Sequence, residues 1–280
     1  MSEQILEQVF QVSGPARLDV SNIRGFTEIR TGADGVITVK AVKHEDTGDA
    51  KRTEIELTQE ADGGVKVKTR FPEVQWGWLS GSQPCKVEYT ITAPRACALK
   101  VNGVSNDARV EGFDGEANFN SVSGDLTLCD LHGAIHLNTV SGDVTMTNLT
   151  GELQLNSVSG DICGKNVNGS VTVDTVSGEV LLDEADLPSV KATSVSGDVK
   201  IETALGEGPY HFNSVSGEVG LKVPQETHCS AELHTLSGSL LVKLPATSMS
   251  RHHGRQAVEV QGGGVKVSLH SVSGDLALVS

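Results

Sequence analysis

The sequence predicts an all-β fold: a single-stranded, right-handed β-solenoid with about 18 residues per coil. Three observations carry the prediction. The stretch NSVSGDLTL (120–128) returns in close copy as NTVSGDVTM, NSVSGDICG, DTVSGEVLL, TSVSGDVKI and NSVSGEVGL. The copies recur at nearly regular intervals. Thirty-one glycines stand against 4% aromatic residues, a composition of many tight turns and thin aliphatic packing.

The valine that opens each VSGD falls at 122, 140, 158 and 176, then at 195 and 215, as small loop insertions stretch the interval. VSND at 104–107 is an earlier copy, LSGS at 236–239 a degenerate one, and VSGD returns at 272–275. Each unit halves again, since VSGDVTMTN is followed by LTGELQLNS, so the module is nine residues. Within it apolar residues recur at intervals of 2, 3 and 4, as in Leu126, Leu128, Leu131, Ile135, Leu137 and Val140. The interval of 2 is a strand and the others are corners. Two five-residue strands cannot close a core by themselves, so each coil must stack on its neighbours, and parallel crossovers favour the right hand.

Stacking turns each repeat position into a ladder with steps of about 4.8 Å. Val122, Val140, Val158, Val176, Val195 and Val215 are expected to form an internal aliphatic column. Gly124, Gly142, Gly160, Gly178, Gly197 and Gly217 are expected at a corner with positive φ. The serines and acids around them are turn formers, and Asn120, Asn138, Asn156 and Asn213 are expected to stack as an amide ladder. The organisation predicted is one continuous solenoid over 1–280. It comprises irregular N-terminal coils over 1–100 with a tryptophan-containing loop at 71–84, regular coils over 101–245, and a loop insertion with C-terminal coils over 246–280.

A net charge of −14, with no run of Lys and Arg, argues against nucleic acid as a partner. The N-terminus carries Glu3 and Glu7 where a secretory signal would be basic, and no apolar run is long enough to span a membrane. A cytoplasmic location is expected. Five scattered cysteines without a CxxC pair are expected to be reduced.

The acidic column Asp125, Asp143, Asp161, Glu179, Asp198 and Glu218 presents oxygen ligands, and Asp125, Asp143 and Asp161 are its candidates for calcium. The nine-residue calcium roll requires GGxGxD, however, and only xxGD is present. No metal or other cofactor is expected. A parallel β-helix enzyme acting on carbohydrate would cluster carboxylates with a Lys or Arg, but Lys165, Lys191, Lys200, Lys222 and Lys243 occupy different repeat phases. Cys129, His132 and His136 match no zinc spacing. The outward strand positions Thr127, His136, Thr145, Gln154, Cys163 and Thr172 are too mixed for an ice-binding threonine array, and Arg251 to Arg255 form a basic insertion. Trp76 and Trp78, in FPEVQWGWLSGSQP, are candidate anchors for a protein partner. Because the chain runs through VSGDLALVS to Ser280, Leu276 and Leu278 are expected at an open C-terminal end that pairs two copies into a homodimer.

With the repeat in view, the chain resembles a bacterial family of β-strand-repeat proteins labelled "putative adhesins" and otherwise catalogued as a domain of unknown function. ARLDVSNIRGFTEIRTGADGVITVKAVKH (16–44) is similar to its opening coils, VEYTITAPRACALKVNGVSNDARVEG (87–112) to its middle and QGGGVKVSLHSVSGDLALVS (261–280) to its ending. The resemblance implies a non-enzymatic β-solenoid, an interaction or scaffold protein without catalytic residues. It also implies a link to phage-shock-like envelope-stress systems. A carbohydrate-active enzyme of the parallel β-helix type and a calcium-binding repeat protein are the alternatives.

Overall fold

The structure is a computed structural model that describes residues 2–72 and 82–280. It is built of strands with one 3-10 turn at Glu45–Thr47, and no helix among the described residues is long and apolar enough to cross a membrane. Two compact units are present, Met1–Ile135 and His136–Ser280.

The first unit contains β1 (Glu3–Gln11), β2 (Ala16–Thr31), β3 (Val36–His44), β4 (Glu54–Gln59), β5 (Val65–Arg70), β6 (Lys86–Ala93), β7 (Cys97–Asp114), β8 (Ala117–Ser121) and most of β9 (Leu126–Thr139). The long strand β2 organises it. One edge pairs in parallel with β5 and β6 and the other with β7, so Leu18 lies between Val65 and Leu99, and Ile29 between Ile91 and Val110. Strand β7 hands this register to β8 and β9, with Val110 opposite Leu128. Outside the VSGD repeats the chain turns back on itself instead: β1 on β3, β3 on β6 and β4 on β5 are antiparallel. The irregular N-terminal coils expected from sequence are thus hairpins added to a parallel frame.

The second unit holds β10 (Val144–Ser157), β11 (Ile162–Asn168), β12 (Val171–Thr175), β13 (Val180–Leu187), β14 (Val190–Ser194), β15 (Val199–Leu205) and β16 (Tyr210–Ser214). It continues with β17 (Val219–Lys222), β18 (Cys229–Thr235), β19 (Leu240–Lys243), β20 (Ala246–His252), β21 (Arg255–Val260), β22 (Val265–Ser271) and β23 (Leu276–Val279). Two parallel ladders run through it. One aligns Val144, Ile162, Val180, Val199, Val219 and Leu276, and the other Leu155, Val173, Ala192, Phe212, Leu269 and Leu233. All twelve side chains are at most 1% exposed. The period-2 apolar pattern therefore does what the sequence assigns to it, and each strand buries one face against the next coil.

The corner differs from expectation in two respects. Val122, Val140, Val158, Val176, Val195 and Val215 are not internal: they are 44–48% exposed, and in the second unit those from Val140 to Val215 form an outward ridge. The inward position is the residue before each valine, a Ser or Thr whose hydroxyl donates to the carbonyl of the glycine three residues on. Examples are Ser121 to Gly124 and Ser157 to Gly160, both at 2.6 Å, and Thr139 to Gly142 at 2.8 Å. A buried hydroxyl so bonded tightens the turn and pushes the next two side chains out.

The glycines also earn their place differently. Positive φ belongs to the opposite corner, at Asp130, Asn148, Asn166 and Glu184 and at Gly133, Gly151 and Gly169. In the VSGD corner the constraint is proximity: a Cβ on Gly160, Gly178 or Gly197 would lie 2.1 Å from the carbonyl oxygen of the glycine one coil before, and one on Gly217 would lie 2.0 Å away.

The expectation of an open end at Leu276 and Leu278 is overturned, since both are 0% exposed. Strand β23 pairs with β17 on one side and β19 on the other, and β22 likewise lies between β16 and β18. Hairpin β20–β21, antiparallel to β18, turns the chain back so that its final VSGD enters an interior slot. The degenerate LSGS coil is left at the end of the stack.

Gly178→Ala should lower unfolding stability by about 3 kcal/mol, because neither backbone can give way, whereas Val176→Ser should change it by only about 0.5 kcal/mol. Urea denaturation distinguishes these. Comparable losses would show that the ridge valine is structural after all.

Candidate functional site

The VSGD corner is the most repeated surface of the protein, and its groups are almost all engaged from coil to coil. Each second serine donates to the valine carbonyl of the preceding coil, as Ser159 to Val140 at 3.0 Å and Ser177 to Val158 at 3.1 Å. The aspartates accept a backbone N–H from the next coil: Asp143 from Asp161 at 3.0 Å, Asp161 from Glu179 at 2.8 Å, and Asp198 from Glu218 at 2.8 Å. In the first unit Asp107 accepts from Asp125 at 3.0 Å. A carboxylate in this role is a charge-assisted hydrogen-bond acceptor between coils, not the within-turn bond expected from sequence. Among the described residues no group of three or more His, Cys, Asp and Glu is placed to hold a metal ion, Asp125, Asp143 and Asp161 included.

One basic residue does lie over the acidic column, contrary to the expectation from repeat phase. Lys200 Nζ lies 3.4 Å from Glu218 and 3.7 Å from both Glu179 and Asp198. Desolvation pulls its ammonium pKa down, but Glu218, Asp198 and Glu179 together hold it above the ordinary lysine value. All four side chains are exposed and line none of the principal cavities, so the cluster relieves repulsion along the column without enclosing a substrate.

The amide ladder forms where asparagine follows asparagine, with Asn120 donating to Asn102 at 3.0 Å and Asn156 to Asn138 at 2.9 Å. Asn213 falls between Thr193 and His270 instead. A second ladder, Asn166 to Asn148 at 3.0 Å, occupies the positive-φ corner. Its signal is Asp130, Asn148 and Asn166 at one repeat phase, residue types that tolerate this backbone. Cys129, His132 and His136 do not converge on one another: His132 bonds Asp114 at 3.1 Å and His136 bonds Gln154 at 3.1 Å. The Arg95 guanidinium, and then His132, hold the Asp114 carboxyl below its usual range.

Sequence reasoning missed a buried polar network in the first unit. Asn22 donates to Val87 O at 2.8 Å and to Asn106 Oδ1 at 2.7 Å, and Thr69 bridges Asn22 at 2.9 Å and the Tyr89 hydroxyl at 2.8 Å. Burial pushes the Tyr89 pKa up to about 12. Asn22 and Thr69 also border an open cavity of about 570 Å³ with Arg70, Phe71 and Asn102. In the second unit a cavity of about 660 Å³ is lined by His211, Glu232, Met249, Glu259 and Lys266. Trp76 and Trp78 lie outside the described residues.

Parallel ladders, a buried hydroxyl at the VSGD corners and carboxylates engaged between coils define an all-β repeat protein of the solenoid-like class. The chain belongs to the Toastrack DUF4097 family, whose model matches residues 27–279. No curated protein matches it. Among solved structures it is similar to a "putative adhesin" from Parabacteroides merdae, at 12% identity and a TM-score of 0.57, covering 99% of this chain and 96% of that one. A second "putative adhesin", from Parabacteroides distasonis, aligns at 12% identity and a TM-score of 0.52 over 99% and 97% of the two chains. A "putative lipid binding protein" from the same species aligns at 13% identity and 0.53 over 99% and 97%. At such identities the likeness is one of fold.

Thiol chemistry offers a check on the corner electrostatics. Cys163 is exposed, while Cys85, Cys97 and Cys229 are buried, and burial pushes the Cys97 thiol up to about 12. Partial burial, then Asp161 and Glu179, also raise the Cys163 pKa. Iodoacetamide should label native Cys163 slowly at neutral pH and Cys97 not at all. Added salt, by screening the carboxylates, should lower the Cys163 pKa and speed its labelling. A rate indifferent to salt would remove the acidic column as a cause.

Proposed function

We propose that this protein is a non-catalytic scaffold that presents its valine ridge to a protein partner. The observation that carries the reading is the ridge itself, in which Val140, Val158, Val176, Val195, Val215 and Val272 lie exposed in adjacent coils. The polar groups beside them are largely turned to coil-to-coil bonds, so the methyls are what the corner offers a partner. The neighbouring Asp and Glu column favours a partner with basic residues over an anionic lipid surface. Descriptions of the structural neighbours as adhesins or lipid-binding proteins agree with binding over turnover.

The proposal extends to the winding, taken as right-handed with about 18 residues per coil, which is the hand parallel crossovers favour. It also places the protein in the cytoplasm, where reduced thiols persist; all five cysteines are free. The family resemblance supports an association with an envelope-stress system, and identified partners test that part.

Captured on immobilised protein, a specific partner should be lost on Val158→Glu combined with Val176→Glu, with the thermal transition preserved. Unchanged capture by this variant would defeat the ridge as the binding surface, and turnover of a polysaccharide would defeat the non-catalytic reading.

A further inference from the structure

The two ladders of the second unit end differently. Strand β18 is paired on both sides, with β22 and with β21, and β20 extends that ladder further. Strand β19, in the same coil, pairs only with β23 among the described residues. One ladder therefore runs two strands beyond the other. In the inner coils the first residue of each strand donates its N–H to the coil that follows: Val199 to Glu218 O at 2.8 Å, Val219 to Asp275 O at 2.9 Å and Leu276 to Ser239 O at 2.9 Å. Leu240 holds this position in β19, and among the described residues no strand pairs with β19 on that side.

The side chains record the same vacancy in the ladder. Leu240 and Val242 continue the inward rows whose other members are almost fully buried, yet both are only half-buried. Beside them Leu241 is 44% exposed. The acidic column stops here too, because Ser239 stands where the inner coils carry Asp or Glu, its N–H bonded to Asp275 at 2.7 Å. On the inward face of β21, Gln256 is buried and its Oε1 has no hydrogen-bond partner, an acceptor that burial makes costly to leave unpaired.

Charge selects the occupant. In a chain of net charge −14, Arg251, His252, His253 and Arg255 gather in the hairpin turn, and Gly254 O accepts the Thr235 N–H at 2.9 Å, which places that turn over the approach to β19. Lys243 closes the other end of the strand. We propose that β19 is a strand-docking edge for an extended acidic segment of a partner polypeptide, with apolar residues alternating with carboxylates. The apolar residues complete the inward rows over Leu240 and Val242, the backbone pairs with the open edge, and the carboxylates face the Arg and Lys residues. This surface is separate from the valine ridge.

The test is fluorescence anisotropy on the full chain, using a short labelled peptide that alternates valine with glutamate. Saturable binding is expected, weaker by about tenfold or more for a peptide alternating valine with lysine. N-methylation of alternate peptide amides should abolish binding without any change to the protein. Val242→Pro, which removes an edge N–H directed away from β23, should do the same with the thermal transition retained. Arg251→Glu combined with Arg255→Glu should weaken binding about tenfold. Equal binding of both peptides, indifference to N-methylation, or loss on Val158→Glu with Val176→Glu would overturn the proposal. So would concentration-dependent self-association that Val242→Pro abolishes, since it would make a second copy the occupant.

Discussion

Everything in the second unit rests on how closely one corner lies upon the next. At the VSGD glycine the carbonyl oxygen of the coil before occupies the place a Cβ would take, so the backbones touch with no side chain between them. That contact fixes the strand spacing at one edge of both ladders. The inward aliphatic rows then meet in register, and the hydroxyl, carboxylate and amide columns fall within hydrogen-bonding reach of their copies. Any side chain at the glycine would wedge the coils apart locally and loosen all of these columns together, because they share one repeat distance.

The corner follows a hierarchy that apolarity alone does not reveal. Burial of apolar residues is a one-way rule: surfaces retain many of them, and a valine beside a turn is free to lie outside. What decides the inward position is the hydrogen bond that a Ser or Thr hydroxyl makes to the glycine carbonyl, a bond that Val cannot make. The same economy explains the aspartates, whose side-chain oxygen takes up the N–H of the following coil.

Much of the fold was legible because its cause is local and repeated. Alternation along Val144 to Met146 or Val171 to Val173 gives the strands, and the repeat interval gives their partners. The corner was misread where two outward residues stand in succession, because Val158 and Ser159 break the alternation that fixes direction elsewhere. The hairpins of β1, β3 and β4 carry no repeat and so no register. The buried network of Asn22, Asn106, Thr69 and Tyr89 joins positions dozens of residues apart, with no spacing rule to announce it. Likewise the edge at β19 follows from where the last coil goes, and the near-identical copies VSGE at 215 and VSGD at 272 do not say which coil lies between them.

The placement of that last coil has a consequence for how the chain acquires its structure. A solenoid built in sequence order can grow behind the ribosome, each turn settling on the one just made, with short-range closures throughout. Here β18 and β19 emerge before their neighbours β22 and β23 exist, and the final residues must pass between coils already synthesised. The end of the second unit is therefore completed only once β22 and β23 have been made. A chain interrupted before β23 would lose the partner on which β19 rests, so a break late in the sequence undoes the placement of a strand made well before it.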